Sequence, residues 1–175
     1  GADVVIAGGH KAQFSLTGAG FMYVHEDVLA EITPPYAAKY SFTSNDRFQE
    51  TPTLAADSHR FEYGNPNYLG IWVQRRAAEY VETIGLENIE ARVKETTTYM
   101  IEQAESRGIK VLTPKPWQSR AGIVSIDCST DHERLVDDLH KKKILVSFKD
   151  GFLRASLHFY NNKDDVDRLI ESIAN

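Results

Sequence analysis

The chain has 175 residues, 42% of them hydrophobic and 26% charged, with a formal net charge of −5 at pH 7. That length bounds it to one ordinary domain, or one small domain plus part of another, with the composition of a soluble globular protein. The acidic balance excludes the basic footprint of a nucleic-acid binder, the single cysteine excludes an intrachain disulfide, and no apolar stretch approaches membrane-spanning length.

Asp3 to Ala7 reads as a strand almost at once, with no cap or linker before it. Such a strand is expected to sit inside a sheet and to belong to a longer protein. The lone cysteine and the lack of an opening signal peptide fit a reducing, cytoplasmic setting. Phe21-Met22-Tyr23-Val24 forms a second β-prone run, separated from the first by a glycine-rich, loop-like segment. Residues 26–31 read as a short helical turn stopped by Thr33-Pro34-Pro35. From Tyr36 to Asn67 the chain is aromatic, polar and irregular, too long for a structureless connector, and loops of that length commonly carry function.

Leu69, Trp72, Val73, Ala77, Tyr80, Val81 and Ile84 then recur at threes and fours and give a helix one apolar face. Gly85 breaks it, and Ile89, Val93, Met100, Ile101 and Ala104 continue on a second helix ending at Gly108. From Ile109 strands alternate with helices: KVLT, GIVSID, a helix near 131–142, then ILVSF and FLRASL around a hairpin signal at Asp150-Gly151. The basic run Lys141-Lys142-Lys143 follows an acidic stretch and reads as a solvated helix end. Asn161-Asn162 can cap a last helix with Asp164 and Asp165 in its first turn and Val166, Leu169, Ile170 and Ile173 as its buried stripe. Residues 109–175 are expected to form a small α+β unit, a mostly antiparallel sheet with helices on one face.

Two residues invite chemistry. Lys11 lies between two apolar runs that are expected to be buried. A lysine there either reaches solvent or is desolvated, and a desolvated amine is a nucleophile toward carbonyls. His10 beside it could contact a cofactor. Arg154 sits in an otherwise apolar strand, where it is either in an ordinary salt bridge or placed to grip a carboxylate with two parallel hydrogen bonds. A phosphate loop is excluded: Lys11 is followed by Ala12, and Gly18-Ala19-Gly20 leads into a strand rather than a helix. The histidines at 10, 25, 59, 132, 140 and 158 have no metal-ligand spacing, so no metal is expected, and Cys128 in an apolar strand reads as structural.

Three segments together carry a family resemblance. GGHK followed by TGAGFMYV resembles the Schiff-base-lysine segment of class V aminotransferase-like enzymes, the fold-type I pyridoxal-phosphate group that includes cysteine desulfurases, selenocysteine lyases and isopenicillin N epimerase-like proteins. RFEYGNPNYLGI is similar to that family's loop before its long interdomain helix, and FLRASLHFYNNKDDVDRLI to its C-terminal arginine segment. The resemblance implies that Lys11 binds pyridoxal 5'-phosphate, that His10, Gly64 and Asn65 lie at the cofactor, and that Arg154 holds the α-carboxylate of a small amino acid. It also implies a homodimer, with the Gly64-Asn65 loop reaching the partner's cofactor. The fold class it implies is α/β: residues 1–67 would end the large cofactor domain, 68–108 would be interdomain helices, and 109–175 the small C-terminal domain.

Departures from the pattern are specific. Gly8 stands where many relatives have a phosphate-contacting serine, Asn65 where threonine is usual, and no cysteine lies in the loop before Arg154, where desulfurases of the family place a sulfur-accepting thiol. In that family the pyridine-binding aspartate and the ring-stacking histidine lie upstream of the lysine, and only ten residues precede Lys11, so the chain resembles the C-terminal portion of such an enzyme. The sequence does not choose among transamination, β-elimination, desulfuration and epimerisation, although desulfuration through a thiol in the loop before Arg154 is disfavoured. The alternative is a stand-alone, non-catalytic binding or oligomerisation module derived from the same fold.

Overall fold

A computed structural model describes residues 1–43, 50–128 and 132–174, without the side chains of His132 and Glu133. Residues 44–49 of the irregular segment, and the onset of the helix expected near residue 131, lie outside the described residues. The chain divides into two compact units, Gly1–Thr83 and Ile84–Asn175.

In the first unit, β1 (Val4–Gly8) and β2 (Gly20–Val24) pair antiparallel, with Val4 opposite Val24 and Gly8 opposite Gly20. The register closes at glycine for a steric reason: a β-carbon on Gly20 would lie 2.5 Å from the Ala7 carbonyl oxygen. Both expected strands form, and within this chain their apolar side chains are left exposed. Ile6 is 75% exposed, and Val4, Val5, Phe21, Met22 and Tyr23 are also exposed. Among the described residues this sheet has two strands only, so each is an edge, and no layer covers their apolar side chains.

The short helix α1 (Glu26–Leu29) follows, with the His25 ring accepting from the Asp27 amide at its start. The described part of the irregular segment is ordered by polar anchors. The guanidinium of Arg60 donates to three carbonyls, Ala55 at 2.9 Å, Leu29 at 2.9 Å and Ile32 at 3.3 Å. Fully buried Ser41 donates to the Glu62 carbonyl and accepts from the Ala38 amide, each at 3.1 Å. Phe42 bridges to Leu54, and a 3-10 turn at Ser58–Phe61 is capped by Asp57.

Helix α2 (Tyr68–Ile84) forms as expected, and of its expected apolar face Ala77 is buried and Val73, Val81 and Ile84 are half-buried. Gly70 and Ala77 are buried, whereas Leu69, Trp72 and Tyr80 are more than half exposed. Small residues set the close approach: a β-carbon on Gly70 would meet the Ala19 methyl at 2.9 Å.

In the second unit, Gly85 (φ 89°) breaks the helical path and α3 (Leu86–Ser106) begins, ending before Gly108 (φ 73°) in the left-handed conformation that glycine adopts without cost. Four strands, β3 (Lys110–Val111), β4 (Ile123–Asp127), β5 (Ser147–Lys149) and β6 (Phe152–Ser156), make one antiparallel sheet in the order β3-β4-β6-β5. The strand ILVSF pairs only from Ser147, after Lys143 in a left-handed conformation (φ 60°), and Cys128 lies one residue beyond β4. Alternation puts Val124 and Ile126 of β4 and Leu153 and Ala155 of β6 on one face. They share a core with Met100, Ile101 and Ala104 of α3, Leu139 of α4 (His132–Lys141), and Val166, Leu169 and Ile170 of α5 (Lys163–Ile173). This is the expected antiparallel sheet covered by helices on one side.

Asn162 caps α5 in a reciprocal box, accepting from the Asp165 amide at 3.0 Å while the Asp165 carboxylate accepts from the Asn162 amide at 3.2 Å. Asn162→Ala is expected to lower the stability of the second unit by about 1 kcal/mol, read from a urea midpoint that falls at unchanged slope. Arg60→Ala, which strips charged donors from three carbonyls, is expected to cost about 2 kcal/mol and to open residues 29–62 to limited proteolysis.

Candidate functional site

Lys11 opens the turn between β1 and β2. Its carbonyl accepts from the Phe14 amide at 3.2 Å, and Phe14 takes a left-handed conformation (φ 58°) to make the turn. Gly9 ties both ends of the loop, donating to the Ala19 carbonyl at 2.8 Å and accepting from the Ser15 amide at 2.8 Å. Lys11 and His10 are both exposed within this chain, the solvent-reaching one of the two alternatives for the lysine. The imidazole of His10 reaches back over Gly8, where a β-carbon would meet its Cε1 at 3.4 Å.

The Gly64-Asn65 segment is brought to this loop through Asn67. The Asn67 amide donates to the Gly18 carbonyl at 3.4 Å and its Oδ1 accepts from the Gly70 amide at 3.0 Å, which starts α2. Two residues earlier, Asn65 Oδ1 accepts from the Tyr40 hydroxyl at 3.0 Å, and a β-carbon on Gly64 would meet nothing within 4 Å. Within the first unit, then, Lys11, His10, Gly64 and Asn65 lie on two loops joined at Gly18 and Asn67. Three side chains that sequence reasoning did not single out support them: Arg60, Asn67 and Gln74. Arg60 and Asn67 fall inside the quoted motif RFEYGNPN, which is the signal that could have found them.

Arg154 belongs to the second unit, at the middle of β6. It is half-buried, and its Nε is buried with no hydrogen-bond partner among the described residues. Its register neighbours are Ser125 on β4 and Ser147 on β5, so two small hydroxyl residues flank it across the sheet. With Leu153 and Ala155 in the core, alternation places Arg154 on the opposite face. A buried guanidinium N–H without an acceptor carries an uncompensated desolvation cost, which an arriving carboxylate relieves.

Cys128 is buried, and burial, with the neighbouring Asp127 charge, pushes its thiol above the usual range. It is the only cysteine of the chain. Between β5 and β6 the turn is only Asp150-Gly151, both at positive φ (55° and 85°), as a two-residue hairpin requires. Among the described residues no three His, Cys, Asp or Glu side chains group to hold a metal, and no helix is long and apolar enough to cross a membrane.

A cysteine desulfurase of Cronobacter sakazakii is 29% identical over 186 residues, covering 98% of this chain and 45% of the relative. Among solved structures, the apo cysteine desulfurase of Thermococcus onnurineus NA1 superposes with a TM-score of 0.88 at 24% identity, covering 99% of this chain and 46% of that one. The cystine C-S lyase C-DES, solved with its product cysteine persulfide, superposes at 0.82 and 24% identity over 95% of this chain and 45% of that one. At those identities the structural likeness is one of fold. The chain spans about half the length of the curated relatives it matches. The description Aminotransferase class-V matches residues 1–169, and the chain belongs to that family.

Proposed function

We propose that this chain is the C-terminal portion of a pyridoxal-phosphate-dependent lyase that acts on a small amino acid, with Arg154 as its carboxylate clamp and Lys11 as its cofactor lysine. The observation that carries the reading is the Arg154 guanidinium: a buried Nε with no acceptor, on the open face of a sheet between two serines. The donor set on the first unit, an amine at Lys11 and an imidazole at His10 beside the glycines Gly8 and Gly9, suits an aldehyde that bears a phosphate. Gly64 and Asn65 complete the proposed cofactor set.

Lys11 would hold the cofactor through Nζ, and the same Nζ, when free, would carry the proton taken from the substrate Cα. Arg154 receives the α-carboxylate through parallel N–H donors, which fixes the orientation of the Cα–H bond. When bound, the cofactor supplies an electron sink for the charge left at Cα. The proposed layout assigns 1–67 to the end of the large domain, 68–108 to interdomain helices and 109–175 to the small domain, in a cytoplasmic homodimer.

Lyase chemistry without an enzyme thiol is favoured over sulfur transfer to a cysteine of this chain. The only candidate, Cys128, is buried with its thiol pushed up, and the two-residue turn before β6 carries no cysteine. Carbon–sulfur cleavage is the chemistry named for the relatives, and the C-S lyase releases its persulfide as product.

The test uses the complete protein containing this chain. Added pyridoxal phosphate is expected to give a yellow band, and borohydride to fix the label on Lys11, located by peptide mass; a label on another lysine overturns the assignment. Arg154→Met is expected to raise KM for the amino-acid substrate by about 100-fold, since a charged carboxylate contact is worth roughly 1.5–3 kcal/mol, and to leave cofactor absorbance intact. Cys128→Ser is expected to retain activity, and in the native protein Cys128 should react with a thiol reagent only on unfolding.

A further inference from the structure

The turn that Lys11 opens is fastened to helix α2 by a contact that neither the lysine nor the arginine assignment uses. Gln74 of α2 donates its Nε2 to Gln13 Oε1 at 2.5 Å. Its carboxamide lies directly over Gly9: a β-carbon there would overlap Gln74 Oε1 and come within 2.8 Å of Gln74 Cδ and of Ser15 Cβ. Gly9 is buried, and any side chain at that position would expel the amide. Gln74 therefore grips the loop on both sides of Lys11, at Gly9 two residues before it and at Gln13 two residues after.

The grip has chemical peculiarities that simple packing would not need. An apolar side chain fills a half-buried helix position more cheaply than an amide does. Here the amide is present, and two of the three buried side-chain atoms without a partner among the described residues belong to Gln74 (Oε1) and Ser15 (Oγ), the two residues whose side chains close over Gly9. The held turn is itself uncommon, because Phe14 sits at φ 58°, a conformation that non-glycine residues adopt only when their surroundings over-determine it.

We infer that Gln74 is a positioning residue for Lys11: through Gln13 and Gly9 it sets the path of the turn on which the lysine stands, and so the place of Nζ relative to α2. The inference rests on the reading of Lys11 as the cofactor lysine, and it makes no use of Arg154. Gln74 touches neither substrate nor cofactor; it acts through the loop.

The experiment compares Gln74→Leu, Gln13→Ala and their double variant in the complete protein, with two readouts. Without cofactor, amide hydrogen exchange at Phe14 and Ser15 is expected to speed up about tenfold in each single variant, with the amides of residues 84–174 unchanged. With pyridoxal phosphate bound, the pH midpoint of its absorbance change is expected to move by about half a pH unit in the same variants. A shared clamp requires the double variant to match the singles rather than sum them. Unchanged exchange and midpoint, or additive effects, overturn the inference. If Gln74→Leu does not fold, Gln13→Ala removes the same bond from the loop side and decides alone. If no cofactor band forms on Lys11 in the wild type, the cofactor assignment fails, and the exchange measurement still decides whether Gln74 holds the turn.

Discussion

The register of β5 against β6 is the constraint on which the second unit turns. Asp150 and Gly151 both take positive φ, which makes the tightest hairpin connection and leaves Lys149 opposite Phe152, hence Phe148 opposite Leu153 and Ser147 opposite Arg154. Because side chains alternate with a period of two, that register decides which of Leu153 and Arg154 faces the helices. A slip of one residue would bury the guanidinium against Met100 and Ile170 and turn Leu153 and Ala155 outward. The core of α3, α4 and α5 and the charge on the open face are thus two consequences of one turn. Substituting Gly151 would strain both at once.

The first unit depends on a different constraint, the closeness of backbone to helix at positions with no side chain. Gly9 admits Gln74, Gly20 admits the Ala7 carbonyl, and Gly70 admits Ala19. Among the described residues the strands and Leu69, Trp72 and Tyr80 leave apolar side chains exposed. Directional contacts link its segments: Arg60 on three carbonyls, Asn67 between Gly18 and Gly70, Ser41 between Ala38 and Glu62.

This contrast explains what was legible in the sequence. Asn162 with Asp165, the Asp-Gly turn, the glycine break at 85 and the buried stripe of α5 are local signals, each decided within a few residues, and all of them form as read. Arg154 was legible because a charge among apolar strand residues needs an explanation whatever the fold. Periodicity marks the apolar face of α2, and Ala77, Val73, Val81 and Ile84 of it are covered to differing degrees; the close approach at Gly70 is set by a neighbour, Ala19, that no local pattern reveals. Gln74 was invisible for the same reason: its partners, Gln13 and Gly9, are more than 60 residues away in the chain, and no local pattern links them.

The two constraints also suit the two proposed tasks. A carboxylate clamp has to be rigid, because its value lies in fixing the angle of a bond on the substrate, and Arg154 stands in the central region of a sheet whose other face is a closed core. A lysine that both holds a cofactor and, once free, carries a proton has to change position during the reaction, and Lys11 stands in a loop held by hydrogen bonds rather than by apolar burial. Hydrogen-bonded loops open locally at lower cost than core strands do. A turn held by hydrogen bonds at Gly9, Gln13 and Phe14 can therefore place Nζ and still yield locally when the lysine moves.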